Sequence, residues 1–119
     1  MKYHERLQCG NLSISDVGRE VFLAGWVDAL RDHGEVLFIH LRDRSGIIQV
    51  VFSPEFASQS ICRDAASLRS EFCVALKGRV QKRSEGTENP HFDTGLIEIM
   101  ASHLTILSKS EKLPFPVSE

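Results

Sequence analysis

Residues Gly34 to Phe52 read GEVLFIHLRDRSGIIQVVF, and this stretch constrains the fold more than any other part of the chain. Two runs with alternating apolar residues flank the turn sequence DRSG, which predicts a β-hairpin. Because successive side chains of a strand point to opposite faces, the alternate apolar residues from Leu37 to Leu41 share one face. Phe38, His40 and Arg42 share the other. The hairpin therefore has one buried face, and a large aromatic residue lies on its polar side.

The remaining chain predicts three further strands and one helix. The predicted strands are Val21–Arg31, Val36–Arg42, Ile47–Phe52, Phe72–Arg83 and Leu96–Leu107, with an exposed loop over Ser84–Gly95. Ser53 before Pro54 is typical of a helix start, which predicts a helix to about Ser70. This order matches a five-stranded OB-fold Greek-key barrel, all-β with one helix between strands 3 and 4. Gly25 and Gly78 favour the barrel, since they suggest a bend or bulge in curved strands. A five-stranded sandwich is the alternative.

The bulk properties indicate one ordinary domain. The chain has 119 residues, 42% apolar and 25% charged. Its start lacks the apolar region of a signal peptide. The sequence also contains no run of the roughly 18 apolar residues that are needed to span a bilayer. We therefore expect a cytoplasmic protein with no membrane partner. The net charge of −2 argues against a general polyanion binder. The basic run Lys77–Arg83 fits a local nucleic-acid contact and a solvated strand edge equally well.

Residues for catalysis or metal binding are hard to find. The sequence has no P-loop, GxSxG or HExxH motif, and its five histidines lack ligand spacing. The three cysteines follow no CxxC pattern, which favours inert thiols over disulfides or a zinc site. Asp28, Asp32 and Asp43 could meet at one rim, although ordinary turn aspartates explain them better. We expect no catalytic residue, metal site or cofactor in this chain.

The face that carries Phe38 is the best candidate for binding. Gln49 lies on the alternate parity of the third strand and is expected near Phe38. An exposed ring beside an amide and a basic residue can hold an unstacked base, with stacking worth about 1–3 kcal/mol per base. Strand parity alone equally allows Phe38 to pack under a loop or the helix.

The longer run GWVDALRDHGEVLFIHLRDRSGIIQVVF closely resembles the start of bacterial-type aspartyl-tRNA synthetases. The resemblance continues through SPEF, LRSEFCVALKGRVQKRSEGTENP and TGLIEI, and it covers about Gly10 to Pro116. Lysyl and asparaginyl enzymes share the fold but match less well in the RDHG and LRSEF segments.

This resemblance implies an N-terminal OB domain that binds the anticodon loop of tRNA. We expect that domain over residues 1–107, and residues 108–119, which contain KLPFPV, resemble the start of the linker to a class II catalytic domain. The catalytic domain would activate aspartate with ATP and Mg, and the residues after Leu107 leave no room for it. The full-length enzyme is expected to be a homodimer through that missing domain.

The resemblance also implies roles for individual residues. Phe38 matches the phenylalanine that stacks on the central anticodon base, a uracil, and Gln49 matches the glutamine that hydrogen-bonds this base. Arg31 matches an arginine that contacts anticodon bases from the strand 1–2 corner. Glu98 matches an acid near the first anticodon base, where a carboxylate can accept from the N–H edge of guanine.

Arg83 and Asn89 match the strand 4–5 loop region that closes over the anticodon. The plainer alternatives are a solvated charge for Arg31 or Arg83, an outward strand residue for Glu98 and a turn former for Asn89. The family often has three arginines where this chain has Ala29-Leu30-Arg31, which puts phosphate contacts at that corner in doubt.

His33 and Gly86 bear on which tRNAs the full-length enzyme charges. Discriminating members of the family charge only the aspartate tRNA and tend to carry an apolar residue and a lysine at these positions. Non-discriminating members also charge the asparagine tRNA, whose third anticodon base is uracil instead of cytosine. Histidine can donate or accept a hydrogen bond and so tolerates either pyrimidine, and glycine leaves the loop without a fixed cation. The pattern resembles the non-discriminating type; an ordinary turn histidine and turn glycine are the alternative.

Two other functions compete with anticodon binding. A stand-alone OB protein that binds single strands with little sequence choice would usually carry several aromatic residues and more positive charge on strands 2 and 3. A protein-interaction module could use the same face.

Overall fold

Five strands close into a barrel in the computed structural model, which describes Leu12, residues 14–83 and residues 95–108. The strands are β1 (Glu20–His33), β2 (Val36–Asp43), β3 (Gly46–Phe52), β4 (Cys73–Lys82) and β5 (Ile97–Ser108). One helix, α1 (Gln59–Ala65), lies between β3 and β4, and a short 3₁₀ turn (Ile14–Asp16) precedes β1. The predicted OB-fold barrel is confirmed, and the sandwich alternative is wrong.

The strand order around the barrel is β1-β2-β3-β5-β4, and β4 pairs back to β1. Neighbouring strands are antiparallel except for β3 and β5, which pair in parallel at Val50–Ile99 and Val51–Met100. This parallel contact closes the barrel, because it joins the opening three-stranded meander to the last strand. It also brings residues nearly 50 positions apart in the sequence side by side.

The residues that strand alternation predicts to face inward are the ones buried in the core. Ile39 and Leu41 of β2 are fully buried, and Leu37 is half-buried against the same cluster. The other strands contribute their alternate apolar residues: Val21, Leu23, Val27, Ile48, Val50, Phe52, Val74, Leu76, Val80, Ile97, Ile99 and Ala101. Burial of these side chains drives the closure of the barrel, since each fully buried Val, Leu, Ile or Phe contributes about 1.5–3 kcal/mol.

Gly25 and Gly78 are required by close approach of a neighbouring strand. A Cβ atom at Gly25 would collide with the backbone carbonyl of Arg42. A Cβ atom at Gly78 would lie 2.7 Å from the carbonyl oxygen of Met100. The β1–β2 ladder has its irregularity between Val27 and Ala29, and not at Gly25. The predicted irregularity is found at Gly78, where the β4–β5 ladder shifts register between Lys77 and Gly78, whereas no ladder shifts at Gly25 and the need there is steric.

The helix starts later and ends earlier than predicted. Ser53 opens a single turn, in which the backbone N–H of Ala57 donates to the Ser53 carbonyl at 2.9 Å. The N-cap of α1 is Ser58, whose hydroxyl accepts from the Ile61 N–H at 3.2 Å. Two serines with the same capping chemistry lie five positions apart, and the local sequence does not choose between them. Beyond Ala65 the chain leaves the helix.

The first turn is also shorter than the gap between the predicted strands Val21–Arg31 and Val36–Arg42. His33 is the last residue of β1, and the turn consists of Gly34 and Glu35. Gly34 adopts a φ of 78°, which glycine tolerates without a steric penalty, and the Asp32 carboxylate accepts from its N–H at 2.9 Å. The extension of β1 places the His33 side chain on a strand face, where it can contact β2.

Candidate nucleic-acid interface

A row of side chains crosses the barrel on its outer surface, and the strand register defines it. His40 pairs with Ala29 on β1 and with Gln49 on β3. Gln49 and Glu98 both precede the parallel pair Val50–Ile99, so they lie side by side. Residues paired across strands share a face of the sheet. His40, Gln49 and Glu98 therefore form one continuous polar row.

Gln49 and Glu98 are joined directly. The Gln49 side-chain Nε2 donates to Oε1 of Glu98 at 2.9 Å, and both side chains are half-buried. A hydrogen bond to an ionised carboxylate is stronger than one between neutral groups. The bond fixes which end of the Gln49 amide faces Glu98, and Gln49 keeps one N–H and its carbonyl oxygen for other partners.

Phe38 lies in the adjacent row, next to two residues of β1. Its Cα partner on β1 is Arg31, and its ring contacts the His33 ring edge to face, with centroids 5.3 Å apart and planes at 81°. Phe38 is half-buried, whereas Arg31 and His33 are exposed. Gln49 is a diagonal neighbour of Phe38 on the same face, at a typical distance of about 7–8 Å.

The helix lies on the other side of β2. Leu37 and Phe52 line a cavity of about 240 Å³ together with Ala65 and Leu68, residues of α1 and the segment after it. Phe38 alternates with Leu37 and points to the opposite face. The alternative that Phe38 packs under the helix is therefore wrong.

We name the surface that carries these side chains the open face. It consists of Arg31, His33, Phe38, His40, Gln49 and Glu98. Five of these six side chains come from the meander β1–β3, and Glu98 joins them only through the β3–β5 pairing.

His40 occupies the centre of the open face, a position that reasoning from the sequence did not assign to the site. Burial lowers the pKa of His40 below its ordinary value of 6.5, and the positive charge of Arg83 lowers this pKa further. Asp28 raises the pKa of His40, and Arg31 lowers it. The imidazole is therefore neutral at pH 7, with one donor and one acceptor nitrogen. The sequence contained a signal for this position, because strand alternation places His40 on the same face as Phe38 and Arg42.

Arg83 lies at the end of β4 and is only 5% exposed. Its Nε donates to the Ile97 carbonyl at 3.1 Å, and its backbone N–H donates to the Leu96 carbonyl at 3.0 Å. Arg83 thus ties the ends of β4 and β5 together, and its effect on the His40 pKa places its charge near the open face. The alternative of a solvated Arg83 is wrong. Asn89 and Gly86 lie outside the described residues.

The three aspartates that could have formed a carboxylate pair each have another partner. Asp28 accepts from Nε and Nη2 of Arg42 at 3.1 and 3.5 Å. Asp32 caps the Gly34 turn, and Asp43 accepts from the backbone and hydroxyl of Ser45 at 2.8 and 2.6 Å. Their role is structural, as ordinary turn and strand aspartates.

The basic run on β4 is partly used in local contacts. Lys77 lies 3.4 Å from a Glu20 carboxylate oxygen and 5.6 Å from the centre of the Phe22 ring. Arg79 and Lys82 are exposed. Arg79 and Lys82 therefore fit the interpretation of a solvated strand surface, whereas Lys77 is half-buried in an ion pair.

The described residues contain neither a cluster of metal-binding side chains nor a membrane-spanning helix. Among residues 14–83 and 95–108, no group of three or more His, Cys, Asp or Glu could hold a metal ion. No helix in this part is long and apolar enough to cross a membrane. Cys62 and Cys73 are not joined in a disulfide; Cys62 is half-buried and Cys73 is buried.

The chain matches a known family of nucleic-acid-binding domains. The model of the tRNA anti-codon family, described as an OB-fold nucleic acid binding domain, matches residues 21–107. The chain belongs to this family. The matched span contains α1, β2, β3 and β4 completely and all but the outermost residues of β1 and β5. It therefore includes every residue of the open face.

Two curated relatives support the resemblance seen in the sequence. Aspartate–tRNA(Asp/Asn) ligase 1 of Syntrophus aciditrophicus (strain SB) is 62% identical over 119 residues, which are 100% of this chain and 16% of the ligase. Aspartate–tRNA(Asp/Asn) ligase of Persephonella marina (strain DSM 14350 / EX-H1) is 49% identical over 111 residues, 93% of this chain and 18% of the ligase. The predicted resemblance to aspartyl-tRNA synthetases is confirmed. The chain spans less than a fifth of the length of these relatives.

A solved structure of similar size shares the architecture. OBody AM3L15 bound to hen egg-white lysozyme superposes with a TM-score of 0.74 at 28% identity. The superposition covers 94% of this chain and 96% of the OBody. An OB barrel of this length thus exists as a separate polypeptide.

Proposed function

We propose that this chain is the anticodon-binding domain of an aspartate–tRNA ligase that charges both the aspartate and the asparagine tRNA. The observation that carries the proposal is that Phe38 and the hydrogen-bonded Gln49–Glu98 pair, all half-buried, lie on the same outer face of the barrel. The family match and the names of the two relatives support it.

The open face suits an unstacked pyrimidine. The Phe38 ring provides a stacking surface, and the His33 ring contacts it in a T-shaped arrangement. Gln49 offers a donor and an acceptor to the edge of a base stacked on Phe38. In this proposal Phe38 and Gln49 hold the central uracil of the anticodon.

The neighbouring side chains serve the flanking bases. The Glu98 carboxylate has a second oxygen that can accept from a guanine at the first anticodon position. Arg31 is exposed beside Phe38 and contacts the anticodon bases from the strand 1–2 corner. Arg83 and Asn89 belong to the loop region that closes over the anticodon in this proposal.

Titration with anticodon stem-loops tests the proposal. We expect the aspartate stem-loop to bind, and a change of its central uracil to weaken binding at least about tenfold, since the amide loses a matched partner. Equal binding of every sequence would support a general single-strand binder instead. Binding to none of them would support a protein-interaction module, a role in which the similar OBody is seen with lysozyme.

His33 and Gly86 carry the proposal of dual tRNA use. The exposed imidazole of His33 can donate or accept, so cytosine and uracil at the third anticodon position are both tolerated. Aminoacylation of both tRNA transcripts by the full-length ligase measures this directly. A large preference for the aspartate tRNA would contradict it.

The proposal extends to the parts of the protein beyond this chain. A class II domain would activate aspartate with ATP and Mg and would form a homodimer, and residues 108–119 would begin the linker to it. In this proposal the protein charges tRNA in the cytoplasm. Mass analysis and aminoacylation assays of the full-length ligase check these statements.

A further inference from the structure

The Gln49–Glu98 hydrogen bond has a consequence for base selection, which rests on the proposed function. A glutamine amide presents a donor at one end and an acceptor at the other, and rotation by half a turn exchanges them. Uracil and cytosine differ by the same exchange, because uracil offers N3–H beside O4, whereas cytosine offers an unprotonated N3 beside a donor amino group. A freely rotating amide therefore matches either pyrimidine.

Two contacts remove this freedom at Gln49. Stacking on Phe38 would fix where the edge of the base lies, and Glu98 fixes the orientation of the amide, since its carboxylate accepts from Nε2 at 2.9 Å. Rotation of the amide would break this charge-assisted bond and would place the Gln49 carbonyl oxygen against the Glu98 carboxylate. Both groups are then acceptors, and neither can donate.

We propose that Glu98 is a positioning residue that locks the Gln49 amide in the orientation that accepts uracil and rejects cytosine at the central anticodon base. In this orientation the carbonyl oxygen of Gln49 faces N3–H of uracil, and the remaining N–H of Gln49 faces a uracil carbonyl. Cytosine would place its N3 lone pair against the same carbonyl oxygen. This role adds to the contact of Glu98 with the first base, because the carboxylate has two oxygens.

The architecture explains why the lock can be rigid. Gln49 and Glu98 lie on β3 and β5, at the parallel contact that closes the barrel. The residues that follow them, Val50 and Ile99, are both fully buried. The backbone on each side of the bond is therefore held by the core, and the bond does not depend on a loop.

The test uses two stem-loops that are identical except for uracil or cytosine at the central anticodon position. Glu98→Gln is the main variant, because a neutral amide can pair with Gln49 in either orientation. We expect Glu98→Gln to lower the preference for uracil over cytosine at least about tenfold, mainly through stronger binding of the cytosine loop. Since the first base is the same in both loops, its contact with Glu98 cancels in this ratio.

Two further variants complete the experiment. Glu20→Gln removes the same charge from the Lys77 contact on β1, so it should strengthen binding of both loops equally and leave the ratio unchanged. Leucine cannot form a hydrogen bond with the Gln49 amide, so Glu98→Leu should also lower the preference for uracil over cytosine. This variant is used in place of Glu98→Gln if the latter does not fold. Circular dichroism checks the fold of each variant.

The outcomes separate the lock from the proposed function. A wild-type chain that prefers uracil, with variants of Glu98 that retain the full preference, overturns the lock and leaves the proposed function standing. A wild-type chain and full-length ligase that bind neither loop, or bind both equally, overturn the proposed function and the lock with it. A uracil preference that falls in the Glu98 variants and persists in Glu20→Gln supports the lock.

Discussion

The His33 and Phe38 rings form a T-shaped contact, with 5.3 Å between their centroids and 81° between their planes. This contact joins the residue proposed to stack on the central anticodon base to the residue proposed to admit either pyrimidine at the third. Aromatic pairs in this arrangement contribute about 0.5–1.5 kcal/mol beyond buried area. We therefore expect recognition of the central base by Phe38 and recognition of the third base by His33 to be energetically coupled.

Replacement of Phe38 tests the stacking surface. We expect Phe38→Ala to weaken binding of the aspartate anticodon stem-loop by about 1–3 kcal/mol, because the base loses its stacking partner. The fold should persist, since Phe38 is half-buried on the outer surface. Titration gives the affinity and circular dichroism gives the fold. Phe56→Ala is the matched control: Phe56 is 47% exposed in the turn before α1 and is not one of the residues of the open face, so its loss should not change binding.

Replacement of His33 tests the tolerance at the third anticodon base. In the proposed full-length ligase, His33→Leu should raise the ratio of kcat/KM for the aspartate tRNA over the asparagine tRNA about tenfold. Leucine keeps an apolar contact with Phe38 but can neither donate nor accept a hydrogen bond. The direction of the change follows from the resemblance, which implies an apolar residue at this position in members that charge only the aspartate tRNA. His103→Leu, on the exposed surface of β5, should leave the ratio unchanged. An unchanged ratio in His33→Leu would show that third-base tolerance arises elsewhere.

Stability should depend on pH through His40. Its pKa in the folded state is below the ordinary value because of burial and the charge of Arg83. Between the lowered pKa and about pH 6.5, the unfolded chain binds the proton and the folded chain does not. The free energy of unfolding should therefore be highest above pH 6.5 and should fall as the pH drops towards the folded-state pKa.

Urea unfolding of the wild type and of His40→Gln at several pH values between about 7.5 and 5 measures this effect. The free energy of unfolding of the wild type should fall relative to that of His40→Gln as the pH falls, because only the wild type contains the His40 imidazole. Parallel pH profiles would show that His40 does not contribute to the pH dependence.

Replacement of Gly78 tests the steric demand of the barrel. We expect Gly78→Ala to destabilise the fold by about 3 kcal/mol or more, since the new Cβ would lie 2.6 Å from Ile99 Cγ2 and 2.7 Å from the Met100 carbonyl oxygen. Gly34→Ala is the comparison, because a Cβ there meets no atom within 4 Å and only the φ of 78° is unfavourable. It should cost about 1–2 kcal/mol. Thermal unfolding of both variants gives the two values, and equal costs would contradict the steric explanation.

The sequence predicted much of the fold because its signals are local. Alternation identified the inward residues of β2 and β3, and the order of elements identified the barrel. The start of α1 was missed because Ser53 and Ser58 offer the same cap, and the choice between them depends on how the segment packs. The burial of Arg83 was also missed, since its partner Ile97 belongs to another strand.

Within the candidate site, the sequence by itself determined which side chains are available and which face they share. The period of two in β2 places Phe38 opposite the core, and the resemblance to aspartyl-tRNA synthetases attaches a ligand to it. Only the tertiary structure decided how these side chains meet. The Gln49–Glu98 bond, the contact of His33 with Phe38 and the lowered pKa of His40 all depend on strand register and barrel closure. Side-chain alternation is a property of each strand alone, whereas register between distant strands is set by the packing of the whole core.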